Sequence, residues 1–162
     1  GDLIIFKEIN KDQFLNYIVH HKNNDFIDKL PKIGIPMKAS SYLICFEMVG
    51  SEMVFQQQGL HHGDLLIGKL VPHTNLEEII GQVLCLVTNS GILTKRLDSV
   101  DSKHLQLKSD DTNYPTEGLL LESIIQIWQI LGVFSQKINP PNYLEGRVLK
   151  LEQAIDKLSP PT

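Results

Sequence analysis

Adjacent side chains able to bind metal or exchange protons occur at His61-His62 and at Glu77-Glu78. Neighbouring side chains in a strand point to opposite faces, so the two histidines are not expected to share one metal ion. The two carboxylates fit the first turn of a helix, where the helix dipole favours acidic residues. The sequence also lacks a phosphate-binding Gly-rich loop and the motifs C-x-x-C, H-E-x-x-H and G-x-S-x-G. We therefore expect neither a metal site nor a cofactor.

Short apolar runs separated by turn residues predict strands over much of the chain between residues 42 and 138. Asn89-Ser90-Gly91 separates two of these runs and is typical of a tight hairpin turn. Residues 119–131 also fit a helix by periodicity alone, and this choice stays open. The predicted strands are residues 42–49, 65–70, 83–88, 92–97, 104–107 and 123–134.

Residues 10–28 are predicted to be mainly helical, starting at the capping residue Asn10 and interrupted at residues 20–24. Prolines and a glycine then indicate an irregular connector over residues 31–36. The apolar stripe of this helix consists of Phe14, Leu15, Ile18 and Val19.

A second helix is predicted from Asn142 to Leu158, after Pro140-Pro141. Its apolar residues recur at steps of four and three, which is the spacing of a coiled-coil seam. Two interpretations stay open: the seam packs on the domain's own sheet, or it packs on a partner helix across a dimer axis. The seam consists of Leu144, Val148, Leu151, Ile155 and Leu158.

Five motifs occur in the same order as in a known protein family. They are residues 46–53 (FEMVGSEM), 63–68 (GDLLIG), 81–87 with 93–97 (GQVLCLV, LTKRL), 105–111 with 114–115 (LQLKSDD, YP), and 127–130 (IWQI). This series, which spans about residues 26–135, resembles the C-terminal domain of LexA-type and phage CI-type repressors, which are self-cleaving serine peptidases. The resemblance implies a serine nucleophile in a Gly-Asp-Ser-Met motif and a lysine general base in a Lys-Arg pair.

The nucleophile position departs from the family pattern. Aligned with that motif, Gly50-Ser51-Glu52-Met53 places Glu52 where the family has serine, and the lysine of the pair is Lys95. A lysine acts as a base only when it is neutral, and a nearby carboxylate favours the charged form. We therefore predict an ion pair between Glu52 and Lys95 with a separation of about 4 Å or less. The alternative is that Glu52 faces solvent and Lys95 is an ordinary hairpin lysine.

Catalysis through Ser51 would require a one-residue shift, which in an extended segment turns the side chain to the opposite face. The family usually cleaves an Ala-Gly or Cys-Gly bond, and neither dipeptide occurs here, since Ala39 and Ala154 precede Ser40 and Ile155. No catalytic residue is therefore expected, and an active enzyme using Ser51 and Lys95 remains the alternative.

The composition is that of a globular protein: 162 residues, 42% apolar and 21% charged, with 15 basic and 19 acidic residues and a net charge of −4. An acidic chain without a basic face is not expected to bind nucleic acid by itself. No apolar run is long enough to cross a membrane. Cys45 and Cys85 lie within apolar runs and indicate buried thiols in a reducing cytoplasm.

Together these patterns predict a mainly β fold, with twisted, partly barrelled antiparallel sheets and a helix at each end. The expected divisions are an N-terminal helical segment and connector (1–36), a LexA-like β-domain (37–138) and a C-terminal helix and tail (139–162). The resemblance implies a cytoplasmic homodimeric repressor that binds DNA only through a helix-turn-helix domain outside these residues. A stand-alone interaction module of the same fold is a further alternative. The expected dimer contacts are Trp128, Ile130, Leu144, Val148, Leu151 and Ile155.

Overall fold

The computed structural model describes residues 3–36 and 42–135. The N-terminal part consists of β1 (Leu3–Ile9), a 3₁₀ helix (Lys11–Gln13), α1 (Phe14–His20), α2 (Asn24–Asp28) and β2 (Lys32–Pro36). It continues with β3 (Leu43–Glu47), β4 (Val54–Phe55), β5 (Gln58–Gly59), β6 (Leu65–Val71), a 3₁₀ helix (Leu76–Ile79), β7 (Val83–Thr88) and β8 (Gly91–Val100). The last elements are β9 (His104–Lys108), β10 (Glu117–Leu120), a 3₁₀ helix (Leu121–Ser123) and β11 (Ile124–Phe134).

A mainly β architecture is confirmed. Within the described ranges, nine strands form one sheet in the order β10-β9-β8-β7-β11-β6-β3-β1-β2, and β4 pairs with β5. The sheet is mixed, not wholly antiparallel as expected, and in the described ranges it does not close into a barrel. The β1–β3 pair is parallel, which makes the sheet mixed, and β10 and β2 form its two open edges. The parallel pair arises because β1 and β2 already form an antiparallel pair, so β3 adds to the other side of β1.

The predicted helical stretch of the N-terminal segment is present between Lys11 and Asp28, and strands β1 and β2 flank it. Asn10 caps the first turn as predicted, since its side chain accepts a hydrogen bond from the backbone N–H of Asp12. The helices stop at the predicted interruption and resume as α2. The expected irregular connector, however, is strand β2, whose Ile33 and Ile35 pair with Phe6 and Ile4 of β1. Strand pairing thus supplies the backbone partners of a Pro-containing segment at the sheet edge.

Helix α1 packs on the core through the buried Tyr17 and the half-buried Phe14 and Ile18, so only half of the predicted stripe faces the sheet. Tyr17 is buried, whereas Leu15 and Val19 are each 72% exposed. The Tyr17 hydroxyl donates to Gln126 Oε1 over 2.7 Å, and Trp128 Nε1 donates to the same oxygen over 3.1 Å. Burial raises the pKa of Tyr17, so its hydroxyl stays a donor across the ordinary pH range.

The predicted hairpin is confirmed: β7 and β8 pair across the turn, with Thr88 opposite Gly91. The open choice at residues 119–131 is settled by β10 and the long strand β11, which pairs with both β6 and β7. Trp128 in the centre of β11 is fully buried against Phe46, with 5.3 Å between ring centroids. A side chain added at Gly68 would lie 3.1 Å from the Trp128 Cβ, so glycine there allows β6 to pack closely.

The core explains why the strands are continuous apolar runs. Cys85 and Val87 of β7 pack in the cluster that contains Tyr17 and Trp128, while Leu84 and Leu86 pack in a second cluster. A strand buried on both faces needs no polar alternation. In the described part of the chain, no helix is long and apolar enough to span a membrane.

Candidate functional site

The loop between β3 and β4 carries Glu52 and is held to the turn that precedes β6. The backbone N–H of Met48 donates to the Asp64 carbonyl over 2.7 Å, and the N–H of Gly63 donates to the Met48 carbonyl over 2.8 Å. Gly50 has a positive φ of 91°, which favours glycine, and its N–H donates to His62 Nδ1 over 3.0 Å. Hydrogen bonds to residues 62–64 therefore fix the start of the Glu52 loop at residues 48–50.

Lys95 lies in β8 opposite Leu84 of β7, and its side chain is only 9% exposed. Its ammonium is in direct contact with Glu52 Oε2 and donates to Ser109 Oγ over 2.7 Å. Glu117 Oε1 of β10 lies 3.7 Å from the same nitrogen. The sequence prediction that Glu52 and Lys95 form an ion pair is thus confirmed, and the solvent-facing alternative for Glu52 is wrong.

Negative charges outnumber positive ones around the Lys95 ammonium. One buried cation faces two carboxylates whose side chains are 37% and 53% exposed, Glu52 and Glu117. The Tyr114 ring lies on another side, with its centroid 5.9 Å from Nζ. In this arrangement Nζ donates to both Glu52 and Ser109, whereas a general base must offer a lone pair to the nucleophile's proton.

A neighbouring ion pair holds the turn that supplies Ser109. Arg96 makes a two-pronged contact with Asp110, through Nε at 2.7 Å and Nη2 at 2.8 Å. Its third donor, Nη1, reaches the Gly81 carbonyl over 2.6 Å. The hydrogen bonds that Arg96 donates to Asp110 raise the pKa of Arg96, which is charged in any case. The N–H of Asp111 donates to the Glu52 carbonyl over 2.9 Å, so the turn also supports the Glu52 loop.

Ser51, the alternative nucleophile, is not brought to the lysine. Ser51 is exposed, and its backbone carbonyl accepts a hydrogen bond from the N–H of Val54 over 3.2 Å. The polar contacts of the Lys95 ammonium in the described ranges go to Glu52, Ser109 and Glu117 instead.

The two adjacent histidines have structural contacts. His62 Nδ1 accepts from Gly50, and His61 Nε2 lies 3.1 Å from the Gln57 carbonyl. The backbone N–H of His61 donates to Asp64 Oδ2, while the buried Asp64 Oδ1 has no hydrogen-bond partner. Among the residues that the structure describes, no group of three or more histidine, cysteine or carboxylate side chains is arranged to hold a metal ion.

Other predicted residues have defined positions. Glu77 and Glu78 occupy the first turn of the 3₁₀ helix Leu76–Ile79, as predicted. Trp128 is fully buried and therefore cannot form part of a dimer surface, which corrects its assignment to one. Ile130 is half-buried against the core. The other four expected contacts, Leu144, Val148, Leu151 and Ile155, lie outside the described residues, as does the whole predicted C-terminal helix.

Three residues around Lys95 were not predicted as site residues: Ser109, Tyr114 and Glu117. Ser109 and Tyr114 stood within the motif at residues 105–115, and that motif was the available signal for them. Glu117 had no comparable signal, because it depends on the pairing of β10 with β9, where Glu117 lies opposite Leu107.

No protein-family model matches this chain, and no curated protein is significantly similar to it.

Proposed function

We propose that this chain is the dimerising, regulatory domain of a repressor-like transcriptional regulator and a catalytically inactive relative of the LexA-type and phage CI-type self-cleaving peptidases. DNA binding then belongs to a helix-turn-helix domain outside these residues. Two DNA-reading domains that are joined by a dimer bind neighbouring half-sites with an increased effective concentration. Control of dimerisation would therefore control occupancy of the operator.

The contact between Lys95 and Glu52 is the observation that carries the inactive assignment. The motif comparison aligns Glu52 with the family's serine nucleophile and Lys95 with its general base. A carboxylate at the aligned nucleophile position supplies no hydroxyl there to attack a peptide carbonyl, and its pairing with the ammonium leaves no free amine as a base. Ser109 and the Arg96–Asp110 pair keep this ammonium in place, which supports a structural role for the site.

The end of β11 supports dimerisation. Strand β7 pairs with β11 as far as Gln129, whereas β6 pairs with it as far as Phe134. The last residues of β11 therefore extend beyond β7, and they carry exposed apolar side chains. Leu131, Val133 and Phe134 are 50%, 48% and 41% exposed. Apolar side chains on an extended strand that projects beyond its neighbour suit strand pairing with a second copy.

Light scattering across a concentration series tests this proposal, with Val133→Asp as the disrupting variant and Val19→Asp as the matched control. Val19 is equally apolar and 72% exposed, but it lies on α1. We expect a dimer for the wild-type chain down to low micromolar concentration, a monomer for Val133→Asp, and a dimer for Val19→Asp. A wild-type chain that is monomeric at every concentration would refute the proposal.

The stand-alone interaction module is distinguished from the repressor domain by the coding sequence upstream of this segment. An encoded helix-turn-helix supports the repressor proposal, and its absence from the whole gene favours the module. No contact in the described residues favours the module over the repressor domain.

A further inference from the structure

A cavity of about 600 Å³ lies between the end of α1 and one end of the sheet, and neither Lys95 nor any of its partners lines it. Its apolar wall is formed by Leu70, Val71 and Pro72 at the end of β6, together with Ile125 of β11. This volume is within the range of small-molecule sites, and an apolar wall with a few polar groups is their usual composition.

Two histidines line the cavity, each with one ring nitrogen fixed by a backbone carbonyl. His21 Nδ1 lies 3.0 Å from the Ile18 carbonyl, and His73 Nε2 lies 2.9 Å from the Ile124 carbonyl. A carbonyl only accepts, so these nitrogens are the protonated ones. The opposite nitrogens, Nε2 of His21 and Nδ1 of His73, make no hydrogen bond to any described residue.

A side-chain amide and an ammonium complete the polar lining. Gln126 Oε1 accepts from both Tyr17 and Trp128, which fixes the orientation of the amide and leaves its Nε2 without an acceptor among the described residues. Lys22 is exposed, and no described carboxylate lies within ion-pair distance of its ammonium. Four nitrogen-bearing side chains therefore line one cavity whose described lining contains no carboxylate.

We infer that this cavity binds a small organic anion, with its carboxylate or phosphate group against Lys22, Gln126 and the two histidines and its apolar part against the β6 wall. A second cavity, of about 570 Å³, also includes His73 but is lined by both Lys103 and Glu122. Its own carboxylate offsets its cation, so the cavity at Lys22 is the one suited to an anion.

One backbone contact orients each of the two histidine rings. With one nitrogen of each ring donating to a carbonyl, the other can donate to an anion only in the imidazolium form. The titratable groups around the two rings are Lys22 and Tyr17 beside His21, and Lys103 and Glu122 on the far side of His73. Strand β11 contributes only the uncharged Gln126 and Ile125.

Nuclear magnetic resonance titration of the ¹⁵N-labelled chain with benzoate, phenyl phosphate and benzamide tests this inference. We expect saturable shifts of the Lys22, Val71 and Gln126 amides with at least one anion, and binding of the neutral benzamide weaker by about tenfold or more. Saturation by one anion alone assigns the head group.

The variant Lys22→Gln should weaken anion binding by about tenfold, and the matched control Lys29→Gln should leave it unchanged. Both lysines are exposed, so neither substitution is expected to affect folding. Absence of saturable shifts with both anions, equal binding of benzamide, or equal effects of the two substitutions would each overturn the inference. None of these outcomes depends on dimerisation or on the Lys95 site.

Discussion

The ammonium of Lys95 is paired with the carboxylate of Glu52, which lies 43 residues earlier in the chain. The pair joins β8 to the loop after β3, and Ser109 binds the same ammonium from a third segment. A buried charge held by oxygens from three segments is specified by tertiary structure, so changes at any one of them should affect the others.

Glu52→Gln should lower the free energy of unfolding by about 1–2 kcal/mol, because it leaves the Lys95 ammonium buried with weaker compensation. The figure is at the low end for buried pairs because the Glu52 side chain is 37% exposed. Urea denaturation measures it, with Glu78→Gln as a control at an exposed carboxylate that makes no ion pair with a described residue.

The double variant Glu52→Gln/Lys95→Met should be less destabilised than the sum of its single changes, since removing both charges leaves no unpaired ion. If the changes in the free energy of unfolding of the two single variants simply add up in the double variant, the ion pair would be contradicted.

Arg96→Lys should destabilise the chain by about 1 kcal/mol, because lysine does not reproduce the two-pronged contact with Asp110 or the bond to the Gly81 carbonyl. The matched control is Lys108→Arg, at an exposed pair in which Lys108 lies 3.4 Å from Asp98. Thermal or urea unfolding compares the stabilities of the two variants. Equal effects of the two substitutions would argue against a structural role for the two-pronged contact between Arg96 and Asp110.

Cys45 and Cys85 should resist alkylation in the folded chain at neutral pH. Burial raises the pKa of each thiol to about 12, so almost no thiolate is present to react. Mass spectrometry after iodoacetamide treatment should find no adduct in the native chain and two after denaturation. Rapid labelling of the native chain would contradict the packing of β3 and β7.

Asp101 should titrate below its ordinary range in the folded chain. Its carboxylate accepts hydrogen bonds from the backbone N–H groups of Lys103 and His104, and these lower its pKa. A lowered native pKa contributes stability above the unfolded pKa, and this is lost as pH falls through the native value. Carbon NMR titration of the folded and urea-unfolded chain should find the lower midpoint in the folded one, and equal midpoints would refute the turn geometry.

The sequence predicts the strands best where apolar runs are long and bounded by turns, as in the β7–β8 hairpin. It misses β1, which pairs with β2 and β3, and β10, a four-residue strand defined by its pairing with β9. Of the predicted apolar stripe, Phe14 and Ile18 pack on the core, whereas Leu15 and Val19 are exposed. Helical spacing identifies an apolar face, but the angle at which the helix meets the sheet decides which of its residues are covered.

For the candidate site, the motif order was sufficient to pair Glu52 with Lys95 but not to find Glu117. The first depends on local motifs and the second on the pairing of a short edge strand. Trp128 was assigned to a dimer surface because the family that the motifs resemble often dimerises through its closing strand. The structure buries it, since β11 lies between β6 and β7 and not at an edge.

The inactive assignment is tested most directly by the intact mass of the wild-type chain after prolonged incubation at alkaline pH, beside Lys95→Met and Glu52→Ser. Alkaline pH favours the neutral amine that a lysine base requires. We predict that the wild-type chain stays intact, and cleavage confined to Glu52→Ser would show that a hydroxyl is the missing group. A wild-type fragment that disappears in Lys95→Met would contradict the account and favour an active peptidase.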